Sequence, residues 1–236
     1  PVIAAAVGAQ NAVGLIMSSI QVALWEPGKV ERGGKKRRRD EGHDVFRAGE
    51  HDGRVSPRIK DLAEMLGPID GARTTDNLWG ERWSKLCTNA MGNPVSAASG
   101  LGSSDIAGDR RGRELMVRLA HETAKVGLAL GYTVPPFGGA PAAQWAAADR
   151  GDVFEELDGM LAARGGGGDW RPSMAQDVVK GRPTEINEMN GCVASRADDA
   201  GVPVPVTKAM VATVRAIDAG TLRPARENIE RTLEER

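Results

Sequence analysis

Three polar side chains spaced four residues apart are the part of this sequence best suited to chemistry. Lys85, Asn89 and Asn93 lie in a stretch with a helical pattern. Because a helix turns once in about 3.6 residues, this spacing places one ammonium group and two amides in a row on one face. Such a row suits a small anion that also carries a carbonyl group. A solvated helix face would show the same spacing, so spacing alone leaves both interpretations open.

Ser173 and Glu185 form a second group of candidate residues. Ser173 begins a helix predicted over 173–180, where a serine also serves as an N-cap. Pro183 marks the start of the next predicted helix and places Glu185 in its first turn, where the helix dipole favours a carboxylate. Each residue therefore has a structural explanation beside a functional one.

The composition is that of an ordinary globular protein. The chain has 236 residues, of which 41% are hydrophobic and 27% charged, enough for one large domain or two small ones. A net charge of −1 provides no global field that would recruit nucleic acid or an acidic membrane. No apolar run reaches the roughly 18 residues that a membrane-spanning helix needs. We therefore expect neither a nucleic-acid partner nor a membrane partner.

The charged and metal-binding side chains show no pattern typical of a nucleic-acid or metal site. Acidic residues follow the basic run at 35–39 directly, so we interpret that run as a solvated hairpin loop. The three histidines are scattered, and the two cysteines, Cys87 and Cys192, lack metal-ligand spacing. Free thiols are typical of a reducing compartment, so we expect a cytoplasmic protein. Since the sequence starts at Pro1 rather than methionine, we expect a processed product, a fragment or an incomplete reading frame.

The first third of the sequence reads as strands with one helix. The later part of the apolar run 13–24 alternates loosely and predicts a strand, and the Pro27-Gly28 turn leads to a short returning strand over 30–32. Further strands are predicted over 45–50 and 72–75. A helix between them begins at Ser56-Pro57 and ends at Gly67-Pro68. This order of elements indicates the end of an α/β domain.

From about residue 77 the pattern becomes helical. Helices are predicted over 79–98 (with a break or kink at Pro94), 113–130, 142–163, 173–180, from 183, and over 206–219, followed by a charged tail. Loops are predicted over 100–104 and 133–139, and the glycine run at 165–168 is predicted to be flexible. The Gly-x-Gly at 100–102 is no dinucleotide fingerprint, because no strand precedes it and the third glycine is missing.

Several motifs gain a common interpretation when they are taken together. They are Trp83-Ser84-Lys85-Leu86 with Asn89 and Asn93-Pro94; Ser173-Met174 with Asp177; Arg182-Pro183-Thr184-Glu185-Ile186 with Asn190-Gly191; Gly201-Val202-Pro203-Val204-Pro205; Gln10-Asn11-Ala12-Val13-Gly14; Pro27-Gly28; and Phe46-Arg47-Ala48-Gly49-Glu50. In order and internal spacing these motifs resemble the ketopantoate reductase (2-dehydropantoate 2-reductase) family. The resemblance runs along nearly the whole chain.

The resemblance implies an α+β fold with two domains. Residues 1–76 would be the C-terminal part of an NADPH-binding, Rossmann-like α/β domain. Residues 77–236 would be an all-α substrate-binding and catalytic domain similar to the C-terminal domain of 6-phosphogluconate dehydrogenase. The chain would thus correspond to the C-terminal two-thirds of the family, without the Gly-x-Gly-x-x-Gly motif with which the family's Rossmann domain starts.

The resemblance also implies an activity and a set of site residues. The activity is the NADPH-dependent reduction of a small 2-oxo acid, 2-dehydropantoate, to pantoate. Lys85 would polarise and protonate the keto oxygen, and Glu185 would orient Lys85 or accept a hydrogen bond from a substrate hydroxyl. The positions that match the remaining site residues of the family are Asn89, Asn93 and Ser173 for the substrate and Asn11 for the cofactor.

Departures from the family pattern keep two other functions open. Ala12 replaces the usual glycine after Asn11, and Ser103 or Ser104 occupies the place of a further family asparagine. One alternative is a truncated, non-catalytic helical module that assembles with a partner chain. Another is a reductase of a different 2-oxo acid. A homodimer is compatible with the sequence, which does not decide the oligomeric state or the preference between NADPH and NADH.

Overall fold

The computed structural model describes residues 2–18, 21–33, 44–164 and 170–235. The chain divides into two compact units, Pro1–Arg82 and Trp83–Arg236. The first unit contains two small sheets and the second is helical, which confirms the α+β class. The basic run at 35–39 and the glycine run at 165–168 lie outside the described residues, so the predictions for them stay predictions.

Five short strands form two sheets in the described part of the first unit. They are β1 (Gly14–Met17), β2 (Gln21–Glu26), β3 (Lys29–Gly33), β4 (Phe46–Gly49) and β5 (Ala72–Thr74). The central strand β4 pairs antiparallel with β1 and parallel with β5, whereas β2 and β3 form a separate hairpin. Gly28 turns this hairpin at a φ of 80°, which glycine adopts without steric cost. The predicted strands are confirmed, and the early part of the run 13–24 forms β1, a further strand that was not predicted.

Two helices and one short turn accompany these strands in the described part of the first unit. Helix α1 spans Val2–Val7 and a 3₁₀ turn spans Ala9–Asn11. Helix α2 (Pro57–Leu66) begins as predicted, with Ser56 at the N-cap position and Pro57 as the first helical residue. The Ser56 hydroxyl does not cap the helix but donates a hydrogen bond to Glu50 instead. Because Ile59 of α2 is fully buried, the helix is fixed by its apolar face.

Nine helices make up the rest of the described chain. They are α3 (Leu78–Ser99), α4 (Ser103–Gly108), α5 (Arg110–Ala129), α6 (Ala142–Ala146), α7 (Gly151–Ala162), α8 (Ser173–Val179), α9 (Asn190–Ala200), α10 (Pro205–Asp218) and α11 (Glu227–Glu234). The boundary between the two compact units falls inside α3. Helices α3, α5, α8 and α10 confirm the helices predicted over 79–98, 113–130, 173–180 and 206–219.

Several predicted boundaries in the helical part were wrong. The helix predicted over 142–163 is two helices, α6 and α7, because Trp145 turns into the core and its indole N–H donates to the Phe137 carbonyl at 2.9 Å. The charged tail forms α11, where Ile229 and Leu233 are buried one turn apart among charged neighbours. The loop predicted over 100–104 is shorter, because α4 already begins at Ser103.

A close contact between α3 and α5 fixes the position of α3 in the helical unit. Trp83 lies against Gly127, where a Cβ atom would come within 2.2 Å of the indole nitrogen. The indole N–H donates to the Thr123 carbonyl at 2.9 Å. Only glycine leaves room for the ring at this point, which explains a residue that otherwise weakens a helix.

A buried carboxylate joins α5 to the start of α10. Glu122 of α5 accepts hydrogen bonds from the backbone N–H groups of Val206 and Thr207 at 2.9 and 2.7 Å. These N–H groups belong to the first turn of α10 and have no partner within the helix. Burial raises the pKa of Glu122 above its usual value, in spite of these hydrogen bonds.

This burial gives a testable pH dependence. A carboxyl whose pKa is higher in the folded chain than in the unfolded chain stabilises the fold at low pH, and this contribution is lost as the pH rises through the folded pKa. We expect the free energy of unfolding of the wild type, relative to that of Glu122→Gln, to fall as the pH rises above the ordinary carboxyl pKa of about 4.3 and through the raised pKa of the folded chain. Urea unfolding of both proteins at several pH values measures this difference. A difference that rises with pH would contradict the prediction.

Candidate functional site

Helix α3 carries the predicted row of polar side chains. Lys85, Asn89 and Asn93 stand four residues apart on this helix, and all three are half-buried. Trp83 and Cys87, two residues before Lys85 and Asn89, are buried in the core on the other side of the helix. Two residues along a helix correspond to a rotation of about 200°. Lys85 and Asn89 therefore lie on the side of α3 opposite to the buried Trp83 and Cys87. The predicted helix and its polar row are confirmed.

Pro94 interrupts the backbone hydrogen bonds of α3 beside this row. A proline inside a helix cannot donate to the carbonyl four residues earlier, here that of Ala90. The fully buried amide of Asn190 donates to this carbonyl at 3.0 Å. A buried carbonyl without a partner would be costly, so Asn190 replaces the missing helical hydrogen bond. The start of α9 is thereby attached to the middle of α3.

A cavity of about 280 Å³ lies against α3 on the side of the two asparagines. The residues that line it are Thr88, Asn89, Met91, Gly92, Asn93, Ser96, Ser103, Ile106, Ala107, Met116, Leu161, Arg164, Trp170 and Pro172. Most of this surface is apolar. Two of the predicted site residues, Asn89 and Asn93, are in the lining, whereas Lys85, Ser173 and Glu185 are not.

The two asparagine amides in the cavity have few hydrogen-bond partners in the part of the chain that the structure describes. The only hydrogen-bond partner of the Asn93 side chain among the described residues is the Met189 sulfur, at 3.9 Å from its amide nitrogen. For the side chain of Asn89 the described residues offer no such partner. A half-buried amide without a good partner is unusual, because burial removes it from water. Asn89 and Asn93 therefore offer donors and acceptors to a ligand in the cavity.

Ser173 lies beside the cavity rather than in its wall. It is the first residue of α8, and its side chain is exposed, while the preceding Pro172 lines the cavity. The N-cap of α8 is Pro172, so the structural explanation of Ser173 as an N-cap was wrong.

Glu185 lies in a turn and not in the first turn of a helix. Helix α9 begins only at Asn190, so the helix predicted to begin at Pro183 was wrong. The Thr184 hydroxyl donates to Asp218 at 2.7 Å, and Arg215 donates to Asn187 at 2.8 Å. These bonds hold the segment as a turn against α10. The exposed carboxylate of Glu185 therefore does not serve as a helix cap.

Core packing brings the backbone segments of the candidate residues close together. Met174 follows Ser173, and Ile186 follows Glu185; both are buried in one hydrophobic cluster with Val95 of α3. The backbone N–H of Met189 donates to the Glu185 carbonyl, which continues the turn toward Asn93. The segments that carry Ser173, Glu185 and Asn93 thus share one core cluster.

Asn11 belongs to the first unit. It is the last residue of the 3₁₀ turn, its side chain is exposed, and its amide nitrogen donates to the Val7 carbonyl at 2.9 Å. An exposed amide on a turn can form a hydrogen bond with a polar group such as a carboxamide, and the cofactor role that the resemblance implies for Asn11 stays a prediction.

Sequence reasoning missed several residues of the cavity. Met116 comes from α5, Leu161 from α7, and Arg164 follows α7, where it donates to the Gly138 carbonyl at 2.6 Å. The backbone N–H of Ser103 donates to the Trp170 carbonyl at 3.0 Å, which joins two parts of the wall. No motif connects these residues in the sequence; only the packing of α4, α5 and α7 on α3 brings them together.

Neither a metal site nor a membrane span is found in the described part of the chain. Among residues 2–18, 21–33, 44–164 and 170–235, no three His, Cys, Asp or Glu side chains are grouped as metal ligands. Every helix in these ranges is too short or too polar to cross a bilayer.

Together, these features describe an α+β chain whose helical unit holds a mostly apolar cavity with a polar edge. Comparison with known proteins identifies its family: residues 77–218 match the family model described as the C-terminal domain of ketopantoate reductase PanE/ApbA. The chain belongs to this family.

Curated relatives of the chain are longer than the chain itself. A 2-dehydropantoate 2-reductase of Archaeoglobus fulgidus is 26% identical over 189 residues, which cover 77% of this chain and 58% of that protein. One from Mesorhizobium japonicum is 28% identical over 212 residues, covering 89% of this chain and 56% of that protein. The chain therefore spans a little over half the length of these relatives.

Solved structures share the fold. The 2-dehydropantoate 2-reductase of Methylococcus capsulatus has a TM-score of 0.71 at 23% identity, with 94% of this chain and 68% of that chain covered. A D-mandelate dehydrogenase solved with NADH and anilino(oxo)acetate has a TM-score of 0.70 at 19% identity, with 93% and 64% covered.

Proposed function

We propose that this chain serves in the NADPH-dependent reduction of 2-dehydropantoate to pantoate, a step in the biosynthesis of pantothenate. The observation that carries the proposal is the pair of half-buried amides, Asn89 and Asn93, that line a mostly apolar cavity and find little to bind among the described residues. The names of the curated relatives support the same activity. In this proposal the helical unit is of the type found at the C-terminus of 6-phosphogluconate dehydrogenase.

The proposed mechanism assigns charge and proton transfer to Lys85. NADPH, when bound, supplies the hydride that reduces the keto carbon. As negative charge develops on the keto oxygen, the Lys85 ammonium group stabilises it and donates the proton that completes the alcohol. Glu185 orients Lys85 or accepts a hydrogen bond from a substrate hydroxyl. Because Glu185 does not cap a helix, its charge is free for such a role.

The remaining site residues hold the reactants. The Asn89 and Asn93 amides and the Ser173 hydroxyl would bind the carboxylate or hydroxyl of the keto acid. The side chain of Asn11 would hold the cofactor by a hydrogen bond. Each of these contacts restricts the orientation of a reactant, which is worth more to the rate than its direct interaction energy.

The direct test is an assay of the intact protein with NADPH and 2-dehydropantoate. Oxidation of NADPH that depends on the keto acid, with pantoate as the product, is the expected result. An intact protein that binds NADPH but reduces no 2-oxo acid would contradict the proposal. A protein without NADPH binding or activity would favour a non-catalytic helical module. Light scattering of the same preparation tests whether the protein is a homodimer. Fractionation of cells that contain the protein tests the proposed cytoplasmic location.

The apolar cavity favours a second candidate, a reductase of another 2-oxo acid with an apolar side chain. The D-mandelate dehydrogenase that shares the fold was solved with anilino(oxo)acetate, a 2-oxo acid with an aromatic group. A panel of pyruvate, 2-oxoisovalerate, 2-dehydropantoate and phenylglyoxylate separates the two candidates. The highest kcat/KM for 2-dehydropantoate favours the first, and the highest for phenylglyoxylate favours the second.

The size of the cavity predicts how a variant at Met116 changes substrate preference. Met116 lines the cavity and its methyl carbon lies 3.9 Å from the position of a Cβ atom on Gly92. We expect Met116→Trp to fill this space and to lower kcat/KM about tenfold more for phenylglyoxylate or 2-dehydropantoate than for pyruvate. The control is Met65→Trp, since Met65 is exposed on α2. Equal losses for all three substrates would contradict this prediction.

A further inference from the structure

The turn that carries Asn11 has few bonds of its own. Within it, the N–H groups of Asn11 and Ala12 donate to the carbonyls of Gly8 and Ala9. Asn11 is exposed, and the side chain of Gln10 is exposed beside it. Two backbone hydrogen bonds and one side-chain bond, from Asn11 to the Val7 carbonyl, hold this turn locally. A surface turn with so few bonds opens easily, so the position of Asn11 also depends on bonds from elsewhere.

Arg58 of α2 supplies such bonds across 46 to 48 residues of sequence. Its guanidinium group donates to the Gln10 carbonyl at 2.5 Å and to the Ala12 carbonyl at 3.5 Å. These two carbonyls flank Asn11 on either side. The guanidinium group therefore contacts the backbone of the turn and not the side-chain amide of Asn11, whose nitrogen donates to the Val7 carbonyl.

Glu50 holds Arg58 in this place. The Arg58 Nε and Nη2 atoms donate to the two carboxylate oxygens of Glu50 at 2.7 and 2.5 Å, and the Ser56 hydroxyl donates to the same group. Glu50 is 4% exposed, and these hydrogen bonds, that of Arg58 above all, lower its pKa to about 2. A bidentate pair of this kind fixes the plane of the guanidinium group, and so the direction of its remaining N–H groups.

We propose that Arg58 and Glu50 are positioning residues for cofactor binding, which act through the carbonyls of Gln10 and Ala12 to set the place of Asn11. The inference rests on the proposed function, because it takes Asn11 as a cofactor-binding residue. The inference adds that the ion pair between Glu50, which follows β4, and Arg58 of α2 places Asn11, and that the turn alone does not. Without the ion pair, Asn11 would sample many positions, and binding would have to select one of them.

The test compares Arg58→Met with the wild type by two measurements. In the intact protein, the dissociation constant for NADPH, measured by fluorescence titration, should rise about tenfold. In the same variant, hydrogen exchange at the amides of Asn11 and Ala12 should become faster. The matched control is Arg54→Met, because the exposed Arg54 pairs with Asp52. The control should change neither measurement.

The outcomes distinguish this inference from the proposed function. A lower melting temperature with unchanged NADPH affinity and unchanged exchange at these amides would overturn the inference and leave Arg58 a merely structural role. If wild-type intact protein does not bind NADPH, the proposed function fails, and the cofactor role of Arg58 fails with it. If Arg58→Met does not fold, Glu50→Gln answers the question, because it weakens the hold on Arg58 and changes few atoms. Wild-type affinity and exchange in Glu50→Gln would overturn the inference.

Discussion

Lys85→Ala is expected to lower the turnover number for 2-oxo acid reduction by about 100-fold or more. Lys85 is half-buried on α3, one helical turn before Asn89 at the edge of the cavity. Without its ammonium group, the charge that develops on the keto oxygen would have to be stabilised by neutral amides alone. Steady-state kinetics of the intact protein with NADPH and saturating 2-dehydropantoate measure the effect.

Two further variants control this prediction. Lys208→Ala removes an exposed lysine of the same helical unit, which is paired with Asp198, and should leave turnover unchanged. Glu185→Gln should lower turnover while the melting temperature stays near that of the wild type, because Glu185 is exposed and caps no helix. Turnover like that of the wild type in Lys85→Ala would remove the role we assign to this residue. If Glu185→Gln changes the stability but not the turnover, the role that we assign to Glu185 would also be removed.

Asn190→Leu is expected to lower the free energy of unfolding by about 2 kcal/mol. The substitution keeps the size of the side chain but leaves the Ala90 carbonyl without a donor, because Pro94 has no N–H group to offer. Asn190 is fully buried, so water does not replace the lost amide. Urea unfolding that is followed by the far-UV signal of the helices measures the change.

Pro94→Ala provides the control through a double-mutant cycle. An alanine in place of Pro94 would restore the helical N–H that donates to the Ala90 carbonyl. In the Pro94→Ala background, Asn190→Leu should therefore cost about 1 kcal/mol less than in the wild type. Additive effects of the two substitutions would show that Asn190 does not substitute for the missing hydrogen bond of α3.

Helices with a strong apolar period were predictable from the sequence, because their local pattern and their tertiary packing agree. The helix predicted over 79–98 is α3, and its polar row was visible in the spacing of Lys85, Asn89 and Asn93. Burial of Trp83 and Cys87 on the other side follows from the same period. The local pattern thus predicts which face of α3 is polar, but it does not show which neighbours enclose the cavity.

Features set by long-range polar contacts were not predictable in this way. Pro183 is a good local signal for a helix start, yet Thr184 bonds to Asp218 and the helix begins only at Asn190. The cavity depends on Met116 and Arg164, which belong to separate elements and have no motif in common. A sequence pattern describes one element at a time, whereas these features need two elements in contact.

The link between Ala90 and Asn190 has a consequence for the order of events during synthesis. A hundred residues separate the two partners, so a chain emerging from the ribosome contains all of α3 long before α9 exists. During that interval the helix has an open backbone carbonyl beside the two asparagines. Chains that stop before residue 190 should therefore lack the amide that pairs with this carbonyl, so α3 reaches its final hydrogen bonding only after the start of α9 has been translated.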